Sequence, residues 1–299
     1  RQWQVVKEEY FTATGRCAVK TQTGLVLALK YHLSDNERLT EQMLRKLLRD
    51  NKNKLNTGFV GTPLLCNVLT EHGMTDLAYR LLLNEEYPGW LHEVKLGATT
   101  VWERWNSLDE NGRISSTGMN SLNHYSYGAV LEWIFRHVAG IDVTEQGPGG
   151  KMMRISPKVD YKLGSASAVY DSASGCYRCG WQIANGDQIT VTVTVPFGAK
   201  AQVILPYAPD SVYHDTENPL FETVENGICC VKAGQYTVTY KAASPLKKSY
   251  SVDSTLEDLL AEPAIRAFLS NMMEVDMIPD LAYGLTLRQT AEAFAGGVS

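Results

Sequence analysis

"TPLLCNVLTEHGMTDLAYRLLLNEEYPGW", residues 62–90, sets the fold class of the first half of the chain. Pro63 suits the first turn of a helix, where its missing N–H costs nothing. Leu64, Leu65, Val68 and Leu69 then recur at helical spacing until Gly73 ends the run. Thr75-Asp76 opens a second helix through Leu77, Leu81 and Leu82, which stops before Pro88. Two short helices joined by a tight turn predict a helical hairpin.

The same pattern extends outward. Leu25, Val26, Leu29 and Leu33 fall on one helical face in "TQTGLVLALKYHL". Ser34-Asp35-Asn36 interrupts that helix and caps the next, predicted over Glu37–Asp50 with Leu39, Met43, Leu44, Leu47 and Leu48 inward. Beyond the tryptophan-rich segment, residues 120–139 read as one helix carrying Tyr125, Ala129, Val130, Trp133, Ile134 and Val138, ended by Gly140. His72, in "EHG", ends a helix, where a positive imidazole suits the dipole.

Near Gln146 the period changes from helical to two. "QITVTVTVPFG" alternates Ile189, Val191, Val193 and Val195 against threonines, and "QYTVTY" alternates Tyr236, Val238 and Tyr240. "SASAVY" and "AQVILP" also read as strands, and Asn185-Gly186 and Asn226-Gly227 are hairpin signals. These residues predict a β-sandwich from 155 to about 242. "STLEDLLAEPAIRAFLSNMM" and "LTLRQTAEAF" then form a small helical tail.

Composition narrows the function. With a net charge of −5 and no basic run, the chain offers no nucleic-acid surface, and without a long apolar stretch no membrane span is expected. "TGFVG" at 57–61 has two glycines but no phosphate-loop lysine, so neither a nucleotide nor any other cofactor is expected. Of six cysteines, Cys176 and Cys179 form a CxxC and Cys229-Cys230 are adjacent, which raises a zinc reading. Adjacent residues on a strand face opposite ways and make poor joint ligands. No metal is therefore expected, and free thiols in a reducing, cytoplasmic compartment are the simpler account.

The chemistry concentrates in "GATTVWERWNSL", residues 97–108, where Trp102 and Trp105 bracket Glu103 and Arg104. Apolar surroundings penalise a carboxylate and raise its pKa. Glu103 reads as a surface carboxylate, as half of an ion pair among packing indoles, or as an acid–base group in a sugar cleft walled by Trp90, Trp102 and Trp105. His124, in "NHYSYG", is either a backbone-bonded residue at a helix start or a ligand contact. Asp109-Glu110 reads as a solvated loop.

Three blocks in order, "TGFVGTPLLCNVLTEHGMTDLAYRLLLNEEYPGW", "GATTVWERWNSL" and "MNSLNHYSYGAVLEWIFRHVAGI", closely resemble the bacterial α-L-rhamnosidases of glycoside hydrolase family 78. The likeness is strong over residues 9–155, weaker through the predicted sandwich, and absent from the tail. It implies a mainly α plus β protein, with the second half of an (α/α)6 barrel (1–150) followed by a β-sandwich (151–250); the helical tail (251–299) is read from its own apolar stripe and lies outside the family pattern. It implies hydrolysis of terminal α-L-rhamnose from a rhamnose-containing glycoside with inversion. Glu103 matches the family's general base and His124 a rhamnose contact. Trp90, Trp102 and Trp105 transfer as cleft walls or as barrel packing.

The chain also departs from the family. The family's general acid and several sugar contacts precede "EEYFTATGR", and no Met opens this sequence. The chain is therefore expected to begin in mid-protein, to be inactive alone and to self-associate through uncovered helix faces. A non-catalytic carbohydrate-binding or structural fragment is the competing reading.

Overall fold

The computed structural model describes residues 2–296 apart from 110, 117, 146, 216, 261, 280 and 281. Glu110 and Gln146, placed above in a polar loop and at the change of period, lie outside the described residues. The chain forms two compact units, Arg1–Lys247 and Lys248–Ser299.

The first unit opens with helices α1 (Gln2–Tyr10), α2 (Gln22–Lys30), α3 (Glu37–Asp50), α4 (Thr62–Glu71), α5 (Thr75–Leu82) and α6 (Trp90–Lys95). Their starts are written locally. The Thr21 hydroxyl accepts the Gly24 amide at 3.0 Å, and the Asn36 side chain accepts that of Leu39 at 3.1 Å. His72 caps α4 and meets Glu41 Oε1 at 2.8 Å, which adds a carboxylate to the helix-end role read from sequence. Leu25, Leu29, Leu44, Leu48, Leu65 and Leu69 are buried. Leu33, Leu39, Met43 and Leu47, also expected inward, are only half-buried. Helices α1 and α6 were not anticipated, being short and lacking a long apolar stripe.

The helix expected over 120–139 begins only at Tyr127. A 3₁₀ turn (Tyr127–Ala129), α7 (Val130–Trp133) and a π-helical turn (Ile134–Val138) follow one another. The physical reason lies upstream: residues 120–124 spend their polar groups on residues 100–107, as described below. The π turn is visible where the Ala139 amide reaches back five residues to the Ile134 carbonyl at 2.8 Å.

Among the described residues nine strands make two sheets: β1 (Ile141–Val143), β2 (Met152–Ile155), β3 (Ser165–Ser172), β4 (Gly175–Ala184), β5 (Gln188–Val195), β6 (Lys200–Val203), β7 (Val224–Glu225), β8 (Ile228–Val231) and β9 (Gly234–Lys241). One sheet runs β1-β2-β6-β8-β7 and the other β3-β4-β5-β9. All pairs are antiparallel except β2 with β6. Ile189, Val191, Val193 and Val195 point into the core, as their alternation requires. Both Asn-Gly pairs form their hairpins, with φ of +53° and +84° at Asn185-Gly186 and +50° and +75° at Asn226-Gly227. Cys229 is buried and its neighbour Cys230 exposed, the opposed facing expected on a strand.

Helices and sheets share one hydrophobic core, running from Cys17 to Tyr240. Polar contacts fasten the junction. The Trp181 indole donates to the Val138 carbonyl at 2.7 Å, the Tyr79 hydroxyl donates to the Lys158 carbonyl, and the Lys158 and Ser156 amides donate to the His137 and Gly140 carbonyls. Trp133, fully buried, donates to Thr70 Oγ1 at 2.8 Å and meets Tyr79 edge-on.

The second unit holds α8 (Leu256–Leu260), α9 (Pro263–Ser270) and α10 (Leu287–Gly296) around Leu256, Leu259, Leu260, Leu269 and Val275. Pro263 divides the tail's apolar run, since it cannot donate to a preceding turn but starts a new helix well. No helix among the described residues is long and apolar enough to cross a membrane.

His137, at the helix–sheet junction, gives the fold an acid dependence. Burial, helped by the Arg136 charge and opposed by Glu71 and Asp142, pushes its imidazole down to about 4 from 6.5. Its Nε2 has no hydrogen-bond partner among the described residues. The unfolded chain takes the proton first, so stability is full above 6.5 and falls as pH drops toward 4, by at most about 3 kcal/mol. His137→Gln is expected to flatten this part of the pH profile in urea unfolding. An unchanged slope in the variant would contradict the assignment.

Candidate functional site

Residues 100–107 and 120–124 run side by side as a short antiparallel clamp, and the Ser115 amide donates to the Ser107 carbonyl at 2.9 Å. The Glu103 amide donates to the Ser121 carbonyl at 2.9 Å and the His124 amide to the Val101 carbonyl at 2.8 Å. The Thr100 hydroxyl donates to the Leu122 carbonyl. At the far end the Ser107 hydroxyl donates to Asn120 Oδ1 at 2.6 Å and accepts the Arg104 amide at 3.1 Å, while Asn120 Nδ2 donates to the Ser107 carbonyl. Serine, threonine and asparagine serve here because their short side chains reach neighbouring backbone groups. The clamp brings Glu103 and His124, 21 positions apart in the sequence, onto paired segments.

Both residues are half-buried. His124 lies in the loop before the 3₁₀ turn rather than at a helix start. Its ring stacks against Phe59, with centroids 4.9 Å apart, and against Tyr125 at 5.3 Å, while Nδ1 accepts the Ser126 amide at 3.3 Å. That bond fixes Nδ1 as an acceptor, so a neutral ring carries its proton on Nε2.

The expectation that Trp90, Trp102 and Trp105 face a substrate meets three buried indoles, 8%, 2% and 8% exposed. Trp105 lies flat on Tyr127 with centroids 4.0 Å apart and edge-on to Trp90 at 5.4 Å. The Trp90 indole donates to the Tyr127 carbonyl at 2.9 Å and that of Trp105 to the Thr57 carbonyl at 3.2 Å. Of the two roles left open above, these contacts are those of packing. Tyr125, expected on the apolar face of a helix over 120–139, instead stands outside, 85% exposed, because that helix starts only at Tyr127; Phe59 and Tyr87 are exposed as well.

Glu93 is a buried carboxyl beside this segment. It sits on α6, 3% exposed, and Oε2 accepts the Trp102 amide at 3.4 Å. Burial pushes its carboxyl up to about 7, against a smaller lowering by that amide. Its contribution to stability is therefore full below 4.5 and is lost as pH rises through about 7. Burial also raises the Tyr127 phenol, with Glu93, Tyr87 and Glu103 adding to the rise and Arg104 opposing it. The only hint in sequence is a glutamate facing the same side as Trp90 in a six-residue helix flanked by glycines.

Two hollows, of about 260 and 250 Å3, lie elsewhere, one against Pro157 and Tyr207 and one against Phe11 and Asn36. Neither includes Glu103 or His124 in its lining. Among the described residues no three His, Cys, Asp or Glu side chains gather as metal ligands would.

Comparison with known proteins bears on this arrangement. Residues 3–138 match the bacterial alpha-L-rhamnosidase 6 hairpin glycosidase domain, and residues 140–218 match the bacterial alpha-L-rhamnosidase C-terminal domain. An alpha-L-rhamnosidase of Alteromonas sp. (strain LOR) is 42% identical over 189 residues, covering 62% of this chain and 20% of its own length. One from Streptomyces avermitilis is 35% identical over 228 residues, covering 75% and 22%. The chain thus spans about a fifth of the length of these relatives. The crystal structure of the Streptomyces avermitilis alpha-L-rhamnosidase complexed with L-rhamnose superposes with a TM-score of 0.72 at 32% identity, over 80% of this chain and 23% of that one. That of the Aspergillus terreus enzyme does so with a TM-score of 0.69 at 28% identity, over 81% and 26%.

Trp105→Ala removes a buried ring that joins α6, the 57–61 loop and the 3₁₀ turn. It is expected to cost about 3–5 kcal/mol in urea unfolding, in the range of other buried aromatic truncations. A loss below about 1 kcal/mol would return Trp105 to the role of a cleft wall.

Proposed function

This chain belongs, through residues 3–138 and 140–218, to the bacterial α-L-rhamnosidases, and from that premise we propose that it supplies the general base of a glycosidase that releases terminal α-L-rhamnose with inversion. The observation that carries the reading is the clamp, which seats Glu103 and His124 on paired segments at an open, aromatic-edged face.

An inverting hydrolase needs an ionised base on one face of the sugar and a protonated acid on the leaving oxygen, about 6.5–9.5 Å apart, with room for a water. In this proposal Glu103 takes a proton from that water as it attacks the anomeric carbon. His124, fixed by its ring neighbours and the Ser126 amide, donates from Nε2 to a sugar hydroxyl. Phe59 and Tyr125 orient the imidazole, and Trp90, Trp102 and Trp105 form the packed floor beneath. The acid is supplied from outside residues 1–299, which suits a chain spanning a fifth of its relatives' length. The catalytic residues of the chain fall within 1–150, and the isolated chain self-associates through half-buried helix faces. Six free cysteines suit a reducing, cytoplasmic compartment.

Glu103→Gln keeps the side chain's shape and loses its proton-accepting charge. In the enzyme that joins this chain to the acid, kcat on an aryl α-L-rhamnoside is expected to fall about 10²–10⁴-fold while rhamnose still binds. A variant within threefold of the parent would sink the base assignment.

His124→Ala is expected to raise KM, with a loss of about 0.5–1.5 kcal/mol for one hydroxyl contact. Steady-state kinetics with KM and kcat both unchanged would make the histidine a structural member of the ring stack.

A further inference from the structure

The segment that carries Glu103 is held from two sides. Successive amides of an extended chain point in opposite directions. The Glu103 amide accordingly reaches one way, to the Ser121 carbonyl, and the Trp102 amide the other way, to Glu93 Oε2 at 3.4 Å. The first anchor belongs to the clamp. The second comes from α6, from a carboxyl group 3% exposed.

Glu93 is an unusual choice for a purely structural acceptor. Its second oxygen, Oε1, has no hydrogen-bond partner among the described residues, and no Lys or Arg there pairs with it. A backbone carbonyl, a serine or a glutamine would satisfy the Trp102 amide without burying an ionisable group. The surrounding titratable groups are Tyr127, whose phenol feels the charges of Glu93, Tyr87, Arg104 and Glu103, and His92, which meets Tyr87 edge-on.

We propose that Glu93 is a positioning residue for the base: from α6 it holds the Trp102 amide and so sets the backbone from which Glu103 extends. This rests on the reading of Glu103 as the base. The Trp102 side chain is 2% exposed, so its backbone has little freedom to find another acceptor, and release of that amide lets the next residue drift. A misplacement of about 1 Å in a reacting group can cost on the order of 100-fold in rate. The carboxyl serves in its neutral form, with the carbonyl oxygen accepting from Trp102. Burial lifts its pKa to about 7, so the proton is lost as pH rises through that value.

Two measurements test this. In the chain labelled with ¹⁵N-tryptophan, the Trp102 backbone amide is followed from pH 5 to 9, about two units either side of the expected step. A step with its midpoint near 7 is expected, and E93Q removes it. In the enzyme that joins this chain to the acid, E93A is expected to lower kcat about 10–100-fold with KM within about threefold, and E93Q to recover most of that loss. A flat Trp102 shift in the parent overturns the proposal, and this arm does not depend on E93A folding. E93A with parental kcat beside an inactive E103Q also overturns it while leaving the base intact. Full turnover by E103Q instead sinks the base reading itself and the positioning role with it.

Discussion

The flat stack of Trp105 on Tyr127 is the contact on which the candidate site depends. Through its indole N–H, Trp105 is tied to Thr57, and through its edge to Trp90 on α6. Tyr127 in turn meets Phe59 edge-on, and Phe59 stacks on His124. One chain of rings thus joins α6, the 57–61 loop, the segment of Glu103 and the loop of His124. Aromatic side chains suit this because each buries a large area with few rotatable bonds, and their edges and faces set preferred geometries. The polar ends of the indoles find backbone carbonyls, so the packing leaves no indole N–H of Trp90 or Trp105 unmet.

Around that apolar floor, polar groups are placed at two levels. Near the surface Thr100 and Asn120, with the buried Ser107, join two loop segments that neither helix nor sheet would hold. Below it, Glu93 is an ionisable group inside the fold, and its burial favours the neutral form. His137, at the junction with the sandwich, is likewise held neutral, but there protonation adds the charge instead of removing it. The two groups therefore bear on stability in opposite directions of pH, one weakening the fold as pH rises and the other as it falls. Between them lies a window in which both are uncharged.

The sandwich packs directly onto the helices. Its core is continuous with that of the helices, and Trp181, Tyr79 and the 137–140 backbone fasten the two. The π turn ends α7 where those contacts gather. Its wider backbone presents the Val138 carbonyl to Trp181, while His137 and Gly140 accept from Lys158 and Ser156.

Sequence alone determined the elements whose signals are local. Glu37–Asp50, with its Asn36 cap, the helices on either side of Gly73, the alternating strand 188–195 and both Asn-Gly hairpins were legible because caps, period and turn chemistry lie within a few residues. The resemblance likewise singled out Glu103 and His124 from contiguous motifs. Tertiary structure decided what depends on partners distant in the chain. The helix read over 120–139 loses its first turns because residues 120–124 bond to residues 100–107, a competition that periodicity does not register. Trp90, Trp102 and Trp105 lie buried, and the rings that Trp90 and Trp105 meet come from segments distant in the chain. Glu93 acquired its character only when the fold removed it from water beside an amide nine residues away, since burial and not residue type decides whether a carboxyl keeps its proton.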